Sequence, residues 1–236
     1  MTLSKPILVF DLDDTLYEEL AYVRSGLAVV ADYAARETGR DRAHLRALLE
    51  ESLAEGRSGT FDRAFERAGV RTARLVRRCV GVYRMHRPAL SLWPAAERCL
   101  DRWADHRIFL VTDGNTNAQS RKIAALGLQR RFEKVFLTYR HGRHHAKPSA
   151  YCFERIRLLT GARACDIVYV ADNPRKDFVG IRPLGYGTVR VLTGQHAAVK
   201  AAPGHDAALT LTDLDALTHA RLRTFQQELM DSYGKR

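Results

Sequence analysis

Ile7-Leu8-Val9-Phe10-Asp11-Leu12-Asp13-Asp14-Thr15-Leu16 runs four apolar residues straight into a pair of aspartates separated by one leucine. A short apolar run that stops at acids fits a buried strand, with the acids at its end. In an open α/β sheet that edge is where sites form. Burying paired carboxylates costs several kcal/mol unless a cation or a proton compensates. The stretch therefore points to a reaction as well as to a strand.

Working outward, residues 17–87 carry a helical pattern. Tyr22/Leu27/Val30, Leu45/Leu48/Leu49 and Leu75/Val76/Val80 recur at helix-like spacings, and Gly56, Gly59 and Gly69 divide the region. Strands and helices alternate from Pro94 onward. The pattern predicts a helix over 94–105, strand 108–111, a helix over 117–126 ending at Gly127, and strand 135–137. It continues with a helix over 149–159, strand 167–170, a helix over 175–183, strand 188–192, a loop over 194–209 and a last helix over 213–230. Such alternation predicts an α/β fold, a Rossmann-like parallel sheet core covered on both faces. The expected division is a core of residues 1–16 and 88–236 and a helical cap of 17–87, inserted after the first strand where a lid would belong.

The 236 residues can bury a full core, and 46% hydrophobic content is ordinary for a globular chain. No run reaches the roughly 18 apolar residues of a membrane span. The opening MTLSKP has no signal-peptide features. Cys79, Cys99, Cys152 and Cys165 are scattered without a C-x-x-C, so reduced thiols and a cytoplasmic location are expected. Net charge is +11, and residues 36–87 hold thirteen Arg, no Lys and seven acids. These Arg alternate with apolar and acidic residues, as on a solvated helix face; attraction of an anionic substrate is the next reading. No basic block interleaved with aromatics argues for nucleic acid.

Parallel strands would bring four polar strand ends to one edge: Asp11/Asp13, Thr112-Asp113-Gly114-Asn115, Lys147-Pro148 opening a helix, and Asp172-Asn173-Pro174-Arg175-Lys176-Asp177. Each type has a task in phosphoryl transfer. A carboxylate can attack phosphorus, and a second one two residues on points the same way and can protonate the leaving oxygen. A hydroxyl and an ammonium can hold phosphoryl oxygens. Further carboxylates can complete an oxygen site for Mg²⁺.

This set resembles the haloacid dehalogenase-like hydrolases, with four motifs in order: DLDDTL, IFLVTDGN, the lysine of AKPSAYCF, and VYVADNPRKDF. The resemblance covers residues 7–192 and implies a phosphatase with a helical cap of the first type. It implies Asp11 as nucleophile and Asp13 as general acid and base. Thr112, Asp113 and Lys147 would bind the phosphoryl group. Asp11, Asp13 (through its backbone carbonyl), Asp172 and Asp177 would hold Mg²⁺. Dehalogenases of the family lack the second acid of the first motif, which Asp13 supplies here.

The expected activity is hydrolysis of a small, anionic phosphomonoester. The alternatives are a phosphotransferase or phosphomutase on the same fold, or a nucleotide or nucleic-acid-end phosphatase. Two further features have plainer readings. In TDLDAL, Thr212 or Asp213 is expected as a helix N-cap. His141, His144 and His145 are expected in an exposed loop, although such a tract could also meet metal or substrate.

Overall fold

The computed structural model describes residues 5–233. The first four residues of the MTLSKP reading, and the last three of the expected core, lie outside the described residues. Among the described residues six strands, β1 (Ile7–Phe10), β2 (Ile108–Thr112), β3 (Lys134–Leu137), β4 (Ile167–Ala171), β5 (Gly187–Val191) and β6 (Leu209–Leu211), form one sheet in the order β3-β2-β1-β4-β5-β6. Every pairing is parallel.

Every residue of β1, β2, β4 and β5 is buried. That is why β1, β2 and β4 appear in the sequence as nearly continuous apolar runs and do not alternate; β5 is buried although it carries Thr188 and Arg190. Burying each large side chain contributes about 2 kcal/mol. The register aligns Phe10 with Leu110 on one side and Val170 on the other. Asp11, Val111 and Ala171 therefore leave the sheet at one level. The strand order reverses between β1 and β4, which opens a crevice at their carboxyl ends.

Among the described residues there are eight α-helices: α1 (Glu19–Thr38), α2 (Arg42–Ala54), α3 (Thr60–Arg67), α4 (Ala73–Met85), α5 (Pro94–Arg102), α6 (Thr116–Ala125), α7 (Tyr151–Thr160) and α8 (His219–Tyr233). The chain divides into two compact units. One comprises residues 1–19, 91–119 and 126–236, and the other residues 20–90 with 120–125.

In the helical unit, α1 buries Val23, Leu27, Val30, Ala31 and Ala34, a stripe that recurs every turn. It packs with Leu45 and Leu49 of α2, Phe65 of α3 and Cys79 of α4. Asp41 and Thr72 cap α2 and α4 by accepting from the amides of His44 and Leu75. Many of the arginines here are paired at the surface: Arg42 with Asp32, Arg46 with Glu50, Arg67 with Glu55, Arg71 with Asp62 and Arg78 with Glu37.

Four expected elements differ. Residues 175–183 are successive turns ending in a short 3₁₀ segment at Arg182–Leu184, and no α-helix forms there. Gly180 and Pro183 interrupt the stretch, and Asn173 accepts the amides of Lys176 and Asp177 locally. The last helix starts at His219, because Asp213 caps a separate 3₁₀ turn over Leu214–Ala216. Strand β6 (Leu209–Leu211) begins at the last residue of the expected loop 194–209 and fills the gap before the expected last helix. Lys147-Pro148 forms a turn, closed by the Ser149 amide on the Ala146 carbonyl (2.9 Å), and α7 begins three residues after Pro148.

All four cysteines are free thiols. Burial pushes the Cys79 and Cys99 thiols up to about 12, which makes them poor nucleophiles. Among the described residues no helix is long and apolar enough to cross a membrane.

Candidate active site

β1 delivers Asp11 to the crevice, where it is buried and donates its amide to the Val170 carbonyl (3.0 Å). Lys147, buried at 7% exposure, places Nζ 2.7 Å from Asp11 Oδ1 and 2.7 Å from Asp177 Oδ1, and donates to the Tyr169 hydroxyl at 2.8 Å. Burial disfavours the charged ammonium. Asp11 and Asp177 reverse that and hold Lys147 well above the ordinary lysine value.

Desolvation raises Asp11 to about 8; Lys147 opposes the rise and Asp177 adds to it. Burial also raises Asp172, against the hydrogen bond from His196. His196 Nδ1 lies 2.8 Å from Asp172 Oδ2, and Thr15 Oγ1 donates to Asp172 Oδ1 at 3.2 Å. Asp177 Oδ2 accepts the Asn173 amide at 3.0 Å.

Asp13 is half-buried. Its Oδ1 accepts from the Tyr17 hydroxyl (2.5 Å) and its Oδ2 from Gln119 Nε2 (2.9 Å). The same Gln119 nitrogen donates to Thr112 Oγ1 at 2.6 Å, so one amide ties the end of β1 to the end of β2. Asp113 turns its carboxylate away from a phosphate-binding task. Oδ1 accepts from Thr138 Oγ1 (2.8 Å) and the Lys147 amide (3.2 Å), and Oδ2 from Lys176 Nζ (3.0 Å). Burial opposes its ionisation, but Lys147 and Lys176 outweigh that and hold it below the ordinary aspartate value.

Carboxylate oxygens of Asp11, Asp172 and Asp177 lie within 4.8 Å of one another. Three buried acids at that separation repel, and a hard divalent cation fits their donor chemistry. Asp14, Asp172 and His196 form a second group of ligand atoms within 4.8 Å. The Asp13 carboxylate belongs to neither group.

Sequence reading gave no individual role to Tyr17, Gln119, Asp14, Tyr169, Lys176 and His196. Tyr17, Gln119 and His196 carried no motif signal, and Tyr169 and Lys176 stand in VYVADNPRKDF. Asp14 stands in DLDDTL. It adopts a left-handed backbone, φ 56°, and Gln195 Nε2 (2.9 Å) and the Glu19 amide (2.9 Å) hold its carboxylate. His141, His144 and His145 join none of the ligand groups found among the described residues; His145 stacks on Tyr151 with centroids 3.8 Å apart.

A family model for haloacid dehalogenase-like hydrolases matches residues 6–185. The chain belongs to that family of hydrolases. Solved structures with the same fold include the magnesium-bound HAD-hydrolase YfnB of Bacillus subtilis, with 16% identity, TM-score 0.65 and coverage of 91% of this chain and 97% of that one. A 2-haloacid dehalogenase of Pseudomonas syringae pv. Tomato DC3000 shares 21% identity with TM-score 0.63, covering 94% of this chain and 100% of its own. A predicted phosphoglycolate phosphatase of Haemophilus somnus shares 18% with TM-score 0.62, covering 94% and 99%. At such identities the likeness is one of fold. No curated protein matches the sequence.

Proposed function

We propose that the chain is a Mg²⁺-dependent phosphatase of small phosphomonoesters that carries the phosphoryl group on Asp11. The observation that carries this reading is Asp13: a second acid two residues beyond the nucleophile, oriented by Tyr17 and Gln119. A departing halide is a weak base and needs no proton. A departing alkoxide does, and a general acid beside the nucleophile serves that need.

Lys147 holds Asp11 Oδ1, so Oδ2 is the attacking atom. Attack forms an Oδ2–P bond and breaks the P–O ester bond, and Asp13 gives its proton to the departing oxygen. Water then attacks phosphorus. Asp13 takes a proton from that water, the Oδ2–P bond breaks, and phosphate leaves with both aspartates restored. Thr112, whose oxygen accepts from Gln119, keeps its own O–H for a phosphoryl oxygen. Lys147 and the amides after β2 supply the remaining donors. Asp11, Asp172 and Asp177 would hold Mg²⁺, which neutralises charge between nucleophile and phosphate. A solved structure of the same fold with magnesium bound, and the three-acid cluster, support that cofactor.

The test is phosphate release from a panel of phosphomonoesters, run with and without Mg²⁺, beside halide release from 2-haloacids. Phosphate release that needs both Mg²⁺ and Asp11, and is abolished in Asp11→Asn, is the expected result. Halide release without phosphate release overturns the proposal.

A further inference from the structure

Away from the crevice, Asp105, His106 and His219 each offer a ligand atom, and these atoms lie within 4.8 Å of one another. Asp105 and His106 precede β2, and His219 opens α8. The strands are parallel, so the segment before β2 lies at the edge of the sheet opposite the carboxyl ends that carry Asp11 and Asp172.

A buried ring sets the two imidazoles in place. Trp103, 1% exposed, meets His106 edge to face with centroids 4.7 Å apart and lies against His219 at 4.2 Å. The imidazole centroids are 5.6 Å apart. Rings held in advance lose little freedom on taking up a ligand. His106 Nδ1 lies 2.6 Å from Asp105 Oδ1, and the His219 ring has no hydrogen-bond partner among the described residues.

The same residues line a cavity of about 290 Å³, which gives a hydrated ion a way in. Gln226 lines it as well. It is 3% exposed, and its amide has no hydrogen-bond partner among the described residues. A buried amide left unpaired is costly, and a water carried on a metal ion would pair it. Lys5 donates to Asp105 Oδ2 at 3.3 Å, but both side chains are largely exposed, so this contact is weak and gives way to a divalent ion.

Donor type selects the ion. Two imidazole nitrogens and a carboxylate suit Zn²⁺, whereas the all-oxygen set of Asp11, Asp172 and Asp177 suits Mg²⁺. We propose that Asp105, His106 and His219 form a metal site apart from the crevice, which takes Zn²⁺ and ties the start of β2 to the start of α8. Water completes the coordination and faces Gln226. The site stands whichever reaction the crevice performs.

Titration calorimetry of the full chain with Zn²⁺, near pH 7 where imidazole is available as a ligand, tests this. The expected result is saturable binding of one Zn²⁺ that His219→Ala, at an exposed position, weakens by more than about tenfold. Asp105→Asn, also exposed, is expected to weaken it too, and decides alone should His219→Ala fail to fold. His145→Ala and Asp172→Asn are expected to keep this binding, which separates the site from the histidine tract and from the crevice acids. At Zn²⁺ near 100 times Kd, Tm is expected to rise by about 5 °C in the unaltered chain and not in His219→Ala. No saturable binding, affinity unchanged in His219→Ala, loss of binding in His145→Ala or Asp172→Asn, or an unmoved Tm each overturns the proposal.

Discussion

Gln119 makes two bonds from a single nitrogen, to Asp13 Oδ2 and to Thr112 Oγ1. It is 2% exposed, so water cannot replace it there. Tyr17 supplies the second donor to Asp13, and burial pushes its hydroxyl above the ordinary tyrosine value, so it remains a donor at every working pH. On the proposed mechanism, these two residues fix the rotamer of the general acid. Gln119→Ala is therefore expected to lower kcat by about 10²-fold with KM changed little, since a misplacement near 1 Å costs that much in a positioned reaction. A kcat equal to the unaltered enzyme, in a variant with unchanged Tm, refutes the positioning role.

At this scale the sequence was legible where chemistry sits in a contiguous motif. Asp11, Asp13, Lys147, Asp172 and Asp177 could be named because each ends an apolar run or sits in a short polar string. Gln119 and His196 could not. Gln119 lies on α6 seven residues past Thr112, and His196 reaches Asp172 across 24 residues of chain. Only the folded path makes them neighbours.

At the scale of elements, continuous apolar runs marked β1, β2 and β4, because a strand covered on both faces buries nearly every side chain; β5 is buried although Thr188 and Arg190 interrupt it, and the His196 and Val199 carbonyls satisfy Arg190. Strand β6 escaped because three residues carry no period. The segment after β4 misled because its spacing resembles a helix while its backbone is pinned by Asn173 and Asp177. Two glycines there and beyond have a stated job. A Cβ on Gly194, which has φ +60°, would come 2.3 Å from Asp14 Cβ, so this glycine lets the loop after β5 close on the loop after β1. A Cβ on Gly180 would lie 1.7 Å from the Pro148 carbonyl oxygen. Backbone cannot yield as a side-chain tip can, so Gly180→Ala must push the Lys147-Pro148 segment away. The expected outcome is a loss of about 1–3 kcal/mol in urea unfolding, with activity falling further than stability because Lys147 moves with its neighbour. A variant as stable and as active as the parent contradicts this close approach.

At the scale of the whole molecule, folding gathers Asp11, Asp172 and Asp177 into one crevice and answers them with Lys147 and Lys176. The consequence can be read in stability against pH. Asp11 is an ordinary aspartate near 3.8 when unfolded and is raised to about 8 by burial when folded. Between about pH 4 and about pH 8 the folded chain therefore holds a proton that unfolding releases. Fewer protons bound in the unfolded state means that stability falls as pH rises across this window, and the slope ends once the folded carboxyl ionises. Asp172, also raised by burial, acts in the same direction. Lys147, raised above its ordinary value, is protonated on both sides throughout and adds no slope. Asp113, held low, matters only below the window. A divalent cation needs the ionised acids, so it competes with the proton and stabilises the folded state most at the alkaline end. Urea unfolding in the presence of a chelator is thus expected to show stability declining toward pH 8. Asp11→Asn is expected to flatten most of that slope, and added Mg²⁺ to restore stability at pH 8 but not at pH 5. An identical slope in Asp11→Asn and the parent would mean that the burden of the buried acids lies elsewhere than on Asp11.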